Sequence, residues 1–286
     1  MLKTYMSTLL LSLCLASSLY ASQSTITEAE GYSCMGVDKS KKQTEQDALT
    51  DAKKKAVEFV STYIKTETEV KNFVLEKDLL AAYAKAEVKI IQELEKSWYK
   101  DQAAGDCYKI KIKAEVVPDE KGMERISKSK DAADDPSAPL AVKVWTDKKE
   151  YKAGEKIKVY IKGNKPFYAR VLYKDAGGEL IQLLPNPHRA ENYFNGGAVY
   201  EIPTGGDRFD LEVGPPFGEE NIIVYGSSAP MGDIEVQTRG GVYGVNMQMT
   251  DVNTRTRGVK ITGKTTGKEA AASEFTEQML SVKTGR

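Results

Sequence analysis

The chain has 286 residues, and its 41 Lys plus Arg balance 41 Asp plus Glu, so the formal net charge is zero. That balance argues against a strong nucleic-acid footprint, which needs a basic excess concentrated on one face. The length suits two modest domains, and 41% apolar with 29% charged residues is an ordinary composition for a folded protein.

The one long apolar run stands at the start, so no transmembrane segment is expected further along the chain. Lys3 supplies a positive end, Met6 to Leu19 an apolar stretch, and Leu19-Tyr20-Ala21 a cleavage site. This is the pattern of a secretory signal peptide, residues 1–21, with the cut expected after Ala21. The same residues admit a membrane anchor, for which the stretch is short, or lipidation at Cys14, where Leu13 occupies a place that wants a small side chain. After cleavage the chain would be periplasmic or secreted and would keep Cys34 and Cys107, a pair suited to a disulfide in an oxidising compartment.

Taken in order, Ser22 to Thr27 read as frayed and Glu28 to Val37 as a first strand. Thr44 suits a helix N-cap, with Asp47 three residues on. Ala48, Leu49, Ala52, Ala56, Phe59, Val60, Tyr63 and Ile64 then recur at helical spacing, which predicts about twenty residues of helix with one apolar face. Lys53, Lys54 and Lys55 fall on its solvated side. Thr66 to Asn72 suggest a short extended piece, and Asp78 to Lys85 a second helix. Val88, Ile90, Leu94 and Trp98 share a parity, as do Tyr108, Ile110, Ile112, Ala114 and Val116, with a turn at Asp101–Asp106. Residues 86–117 therefore read as a long β-hairpin. The first domain, residues 22–118, is expected to be α+β, a helix on an antiparallel sheet.

Residues 119–139 are charged, poor in large apolar side chains and end in prolines, the composition of a solvated linker open to proteolysis. From residue 140 to 286 the pattern turns to β. Short alternating runs at Ile157–Ile161, Phe167–Lys174, Leu180–Leu184, Ala198–Ile202, Phe209–Val213 and Ile222–Tyr225 are separated by Gly and Pro clusters, as in a mainly-β sandwich-like domain. Local pattern leaves Gly232–Gly258 open. It allows a helix start at Gly267–Ser273, and Phe275–Lys283 either continues that helix or forms a closing strand.

Two stretches carry resemblances. Residues 28–117, with EGYSCMGVDKSKKQTEQDALTDAKKKAVEFV and YKIKIKAEVV, resemble the N-terminal domain of the flagellar assembly protein T family and its lipoprotein relatives. Residues 140–230 resemble the bacterial domain-of-unknown-function family numbered 4384, through YKAGE at 151–155, GELIQLLPN at 178–186, GAVYEIP at 197–203 and GPPFG at 214–218. Neither resemblance implies a catalytic residue set; both imply envelope or accessory roles.

The sequence offers little for catalysis. His188 is the single histidine, with no nucleophile elbow beside it. Zinc ligation needs more His and Cys than remain after cleavage, and no phosphate-binding Gly-Lys-Ser/Thr loop exists, so neither cofactor nor metal is expected. The expected function is a non-enzymatic, exported envelope protein acting as an interaction or accessory module, associated with a flagellar or outer-membrane partner. A carbohydrate- or peptidoglycan-binding sandwich is the alternative, with His188, Arg189, Tyr193, Phe194 and Tyr200 as its candidate binding loop. Cys34 and Cys107 lie on the first and last strands of one expected domain, where a disulfide would close a loop of about seventy residues. Two unpaired thiols are the other reading, because Cys107 shares a strand face with Lys109, Lys111 and Lys113.

Overall fold

The computed structural model describes residues 20–68, 73–128, 134–239, 241–258 and 272–286. The N-terminal half runs β1 (Tyr20–Cys34), α1 (Lys41–Thr68), α2 (Phe73–Tyr83), β2 (Glu87–Asp101), β3 (Gly105–Val117) and α3 (Glu120–Lys128). The C-terminal half opens with β4 (Val142–Thr146), β5 (Glu150–Lys152), β6 (Val159–Gly163), β7 (Phe167–Lys174), β8 (Leu180–Leu184), β9 (Tyr193–Phe194) and β10 (Tyr200–Ile202). It closes with β11 (Glu219–Ser227), β12 (Val236–Arg239), β13 (Val242–Val245), α4 (Met249–Thr256) and β14 (Ser273–Gly285). The expected signal peptide falls on residues outside the described set, except Tyr20 and Ala21, with which β1 opens.

The first helix starts earlier and runs longer than its periodicity predicts. Ser40, not Thr44, caps it: the Ser40 hydroxyl accepts the Gln43 N–H at 3.2 Å and the Gln43 side chain accepts the Ser40 N–H at 3.2 Å. This reciprocal pair satisfies two backbone donors that helix geometry leaves open. Every fourth residue of α1 from Thr44 to Thr68 is buried, and Ala48, Ala52 and Ala56 keep the stripe thin. The sheet consequently approaches very closely. A Cβ on Gly31 would stand 2.0 Å from the Ala48 carbonyl oxygen and 2.4 Å from the Ala52 nitrogen. Phe59, expected on the apolar face, is 37% exposed, because the contact stripe of α1 is one side chain wide.

The hairpin of β2 and β3 forms as expected, its turn held by Asp101, whose Oδ1 accepts the N–H groups of Ala103 and Ala104. The row Val88, Ile90, Leu94, Trp98 does not share one face. Register shifts between Ile90 and Gln92 and between Glu93 and Glu95 insert Ile91 and Leu94 as extra residues. Such bulges reset parity, so Ile90 is exposed while Ile91 packs against the cluster around Phe275. Residues 120–128, read as solvated linker, form α3. Asp119 accepts the Gly122 N–H at 2.9 Å, and Met123 and Ile126, three apart, bury themselves in the core formed by α1, α2 and β3.

In the second half, β11, β7, β8, β13 and β12 extend the same sheet, and β4, β6 and β10 form a three-stranded layer over it. Between the layers lies a core of Val159, Ile161, Phe167, Val171, Ile222 and Val224 among others. The opposite face carries a second cluster of Leu172, Ile223, Tyr225 and Phe275, joined by Val252 of α4 and by Val236 and Val245 of the β12–β13 hairpin. Phe209–Val213, expected as a strand, contributes an isolated bridge between Lys156 and Glu212. Residues 232–258 resolve into β12, β13 and α4. The expected helix start at 267–271 lies outside the described residues, and Phe275–Lys283 belongs to the strand β14.

That strand joins the halves. β14 pairs antiparallel with β1 on one edge and with β11 on the other, giving an 11-stranded sheet continuous through both expected domains. Ser22 to Thr27 therefore do not fray; Tyr20–Ile26 pair with β14 and Thr25–Cys34 with β3. The fold is mostly β, with a helical layer on its N-terminal part and a sandwich-like C-terminal part.

A buried charge fastens the junction on each face. On the α1 face, Glu274 of β14 is 2% exposed. Its carboxylate accepts the Leu140 N–H at 2.6 Å, Lys165 Nζ at 3.0 Å and the Tyr63 hydroxyl at 3.2 Å. The chain entering the second half is held there too: Gln23 donates to the Leu140 carbonyl at 2.9 Å, and the Asn164 amide donates to the carbonyls of Asp135, Ala138 and Pro139. On the other face Arg257 donates to Glu115 of β3 and to Glu277 of β14, both at 2.8 Å, with its guanidinium 4.7 Å from the Phe275 ring centroid.

Removing one partner of a buried ion pair costs more than the pair itself contributes, because the remaining charge stays desolvated. Glu274→Ala should therefore lower unfolding stability by about 3 kcal/mol in a denaturant titration, and Glu274→Gln by less because it keeps an acceptor for the Leu140 N–H.

Candidate functional site

The loop after β8 is built around Asn186, whose Oδ1 accepts the N–H groups of His188 and Arg189. Arg189 folds inward, pairing with Asp207 at 3.0 Å and lying 5.6 Å from the Phe194 ring centroid. Phe194 is buried and meets Tyr200 edge-on at 4.8 Å, and the Tyr200 hydroxyl accepts the Asn195 N–H. His188 is exposed and stacks 6.2 Å from Phe209. Tyr193 turns the other way, onto Tyr168 at 5.0 Å, and is 45% exposed. The structure thus brings Arg189, Phe194 and Tyr200 together as packing at the sandwich end. It leaves Tyr193 as the one exposed ring of the three aromatic residues expected to bind sugar.

Cys34 and Cys107 stand directly opposite each other on β1 and β3 with their Sγ atoms 1.94 Å apart, a disulfide distance. The parity reading placed Cys107 on a solvated face. Cys107 is in fact buried, while Lys109 and Lys111 beyond it remain partly exposed. Along this face the acids of β1 reach diagonally: Glu30, opposite Lys111, pairs with Lys109 at 3.3 Å, and Glu28, opposite Lys113, pairs with Lys111 at 2.7 Å. The one-rung offset leaves Lys113 without an ion pair among the described residues, at the closed end of the ladder. Burial pushes its ammonium down to about 8, against a weaker opposing pull from Glu28. Across the sheet, Arg170 is also buried, donating to Thr256 Oγ1 and the Gly232 carbonyl, both at 2.9 Å, and burial lowers it to about 10. Among the described residues no group of three or more His, Cys, Asp or Glu side chains is placed to hold a metal ion. No helix among them is long and apolar enough to cross a membrane.

The concave feature that the sequence pattern did not reveal lies between the two layers of the second half. Ile157 and Val159 form one wall of a cavity of about 180 Å³; Tyr173, Ile181, Leu183 and Ile222 form the other. Leu211 closes one side, with Asp210 and Glu212 flanking it, and Val242 completes the lining. Asp210 is tied to Lys156 at 2.7 Å, whereas Glu212 is exposed and makes no ion pair among the described residues. The Tyr173 hydroxyl donates to buried Glu220, which also accepts from Thr284 at 3.0 Å. Burial and that carboxylate hold the Tyr173 phenol well above its ordinary range, so the ring serves as an apolar wall. The cavity lies where Ile157 and Val159 on one side, the β7, β8 and β11 residues on the other and Val242 of β13 come together, a relation set by long-range pairing.

Residues 150–230 match the family model of a domain of unknown function, DUF4384. The matched segment runs from β5 through β11 and carries every residue that lines the cavity except Val242. No curated protein and no solved structure matches the chain.

Two outcomes follow from the first-half face. In the unreduced, denatured protein Cys34 and Cys107 should both resist alkylation and both label after reduction, as read by peptide mass spectrometry. Reduction should cost up to about 4 kcal/mol of stability for a loop of this length. Lys113 binds its proton less tightly folded than unfolded, so it opposes folding below pH 8, and that opposition fades as pH rises toward the unperturbed value of 10.5. Lys113→Met should accordingly stabilise the protein at pH 7 by about 2 kcal/mol. The difference should close by about pH 10.5, as measured by denaturant midpoints across the pH range.

Proposed function

We propose that this chain is an exported, non-enzymatic accessory protein of the bacterial envelope that works by binding a partner protein. The observation that carries this reading is the apolar cavity between the layers of the second half, lined almost wholly by the segment that matches DUF4384. Concave apolar sites with a few polar groups at the rim are the usual form of binding sites. Export has independent support: the leader-like start of the sequence and two cysteines at disulfide distance. The resemblance of residues 28–117 to the flagellar assembly protein T N-terminal domain points to a flagellar or outer-membrane partner. The cell-wall carbohydrate reading draws less support, because sugar binding uses exposed rings and here Phe194 is buried and Tyr200 half-buried.

The test is site-specific photocrosslinking in intact cells, with a benzophenone side chain at exposed Val242 and, as a control, at exposed Lys53 on α1. A discrete adduct with an envelope protein, in cells whose periplasmic extract contains the protein, is the expected result. Recovery in the cytosolic fraction, or no adduct from either position, would overturn the proposal.

A further inference from the structure

Resting on that reading, we infer that the cavity between the layers receives one large apolar or aromatic side chain of a partner protein, flanked in the partner's sequence by lysine or arginine. Size argues first. About 180 Å³ is room for a single ring or branched aliphatic group, well under the 300–1,000 Å³ typical of sites that enclose a whole drug-sized ligand. A group that fits here must continue outside, as a side chain does on its backbone. Lining argues second. Ile157, Val159, Ile181, Leu183 and Ile222 offer no hydrogen-bond donors or acceptors, and the Tyr173 hydroxyl is already given to Glu220. A sugar hydroxyl buried there would lose its water partners without replacement.

Charge decides the surroundings of the inserted group. Asp210 and Glu212 flank Leu211 in the lining. Lys156 pairs with Asp210 and also lies across a backbone bridge from exposed Glu212, so one lysine faces two carboxylates and the rim keeps a net negative charge. Fatty acids and anionic lipids would bring a second negative charge to this place. A Lys or Arg next to the inserted side chain would meet Glu212 and the outer oxygen of Asp210 and fix the direction of the peptide. Val242, 43% exposed on β13, gives the partner's backbone an apolar neighbour.

The probe is acetyl-Lys-Trp-Lys-amide, titrated into methyl-labelled protein and followed by NMR. Saturable shifts centred on Ile157, Ile181 and Ile222 are expected, with Kd near about 1 mM, the affinity of a single buried anchor. Acetyl-Glu-Trp-Glu-amide should bind at least about fivefold more weakly. Glu212→Lys, a surface change that leaves the fold alone, should remove that preference. Ile181→Trp should fill the cavity and abolish the shifts at Ile157 and Ile222, with its melting curve confirming the fold. Equal binding of the acidic peptide, tighter binding of decanoate, or no saturable shift in these isoleucines would overturn the inference. So would an envelope adduct formed as efficiently by Ile181→Trp as by the unaltered protein; that outcome would leave the accessory-protein reading intact and move the docking point elsewhere.

Discussion

The pairing of β1 with β14 is the constraint on which the rest of the structure depends. It joins the beginning of the described chain to its end, and with β11 on the other edge of β14 it makes one sheet out of two differently covered parts. Strand pairing alone would allow the halves to slide or twist. The two buried charge clusters prevent this, because Glu274 on one face of β14 and Arg257, which ends α4 and bonds Glu277 on the other, hold neighbouring residues of that strand. Each cluster ties three or more separate segments. Slippage of β14 by one residue would exchange its faces, leaving Glu274 against Phe275's apolar surroundings and Arg257 without its acids.

The covering layers follow from that sheet by simple rules of size. On the N-terminal part the alanine stripe of α1 brings the helix axis close enough for its backbone to touch β1, which only Gly31 permits. On the C-terminal part larger aliphatic residues hold the three-stranded layer farther off, and the space is filled by Ile161, Phe167 and Val224. The apolar cavity lies between these layers, walled by core-like aliphatic side chains with the acidic loop at Asp210–Glu212 on one side.

The charged face near the cysteines illustrates a related economy. Diagonal pairing of Glu28 and Glu30 with the lysines of β3 shields the strand face beside the disulfide-distance pair. It leaves Lys113 as a destabilising charge next to the Glu115–Arg257 junction.

Much of the fold was legible from side-chain pattern. The period-two run in β3, the four-residue stripe in α1, the turn at Asp101 and the strand at Phe167–Lys174 are local signals, because propensity and alternation act over a few residues. The segment resembling DUF4384 carried its own ordered motifs and matched that family. Local pattern misread Ser22–Thr27 and residues 120–128 and left 232–258 open; their conformations rest on distant partners: β14 for the first, α2 and its neighbours for Met123 and Ile126, β8 for the β12–β13 hairpin. The bulges at Ile91 and Leu94 were invisible for the same reason, since a bulge is defined by the opposite strand. What the sequence by itself determined was the elements with strong local periodicity and that the strands of the first hairpin pair with each other. Only tertiary structure decided that the two parts share one sheet, that Glu274 and Arg257 lock it, and that an acidic-rimmed apolar cavity lies between the layers of the second half. These depend on which residues meet far apart along the chain, across more than a hundred positions for Glu274 and for the pair Arg257–Glu115, and no local pattern encodes that.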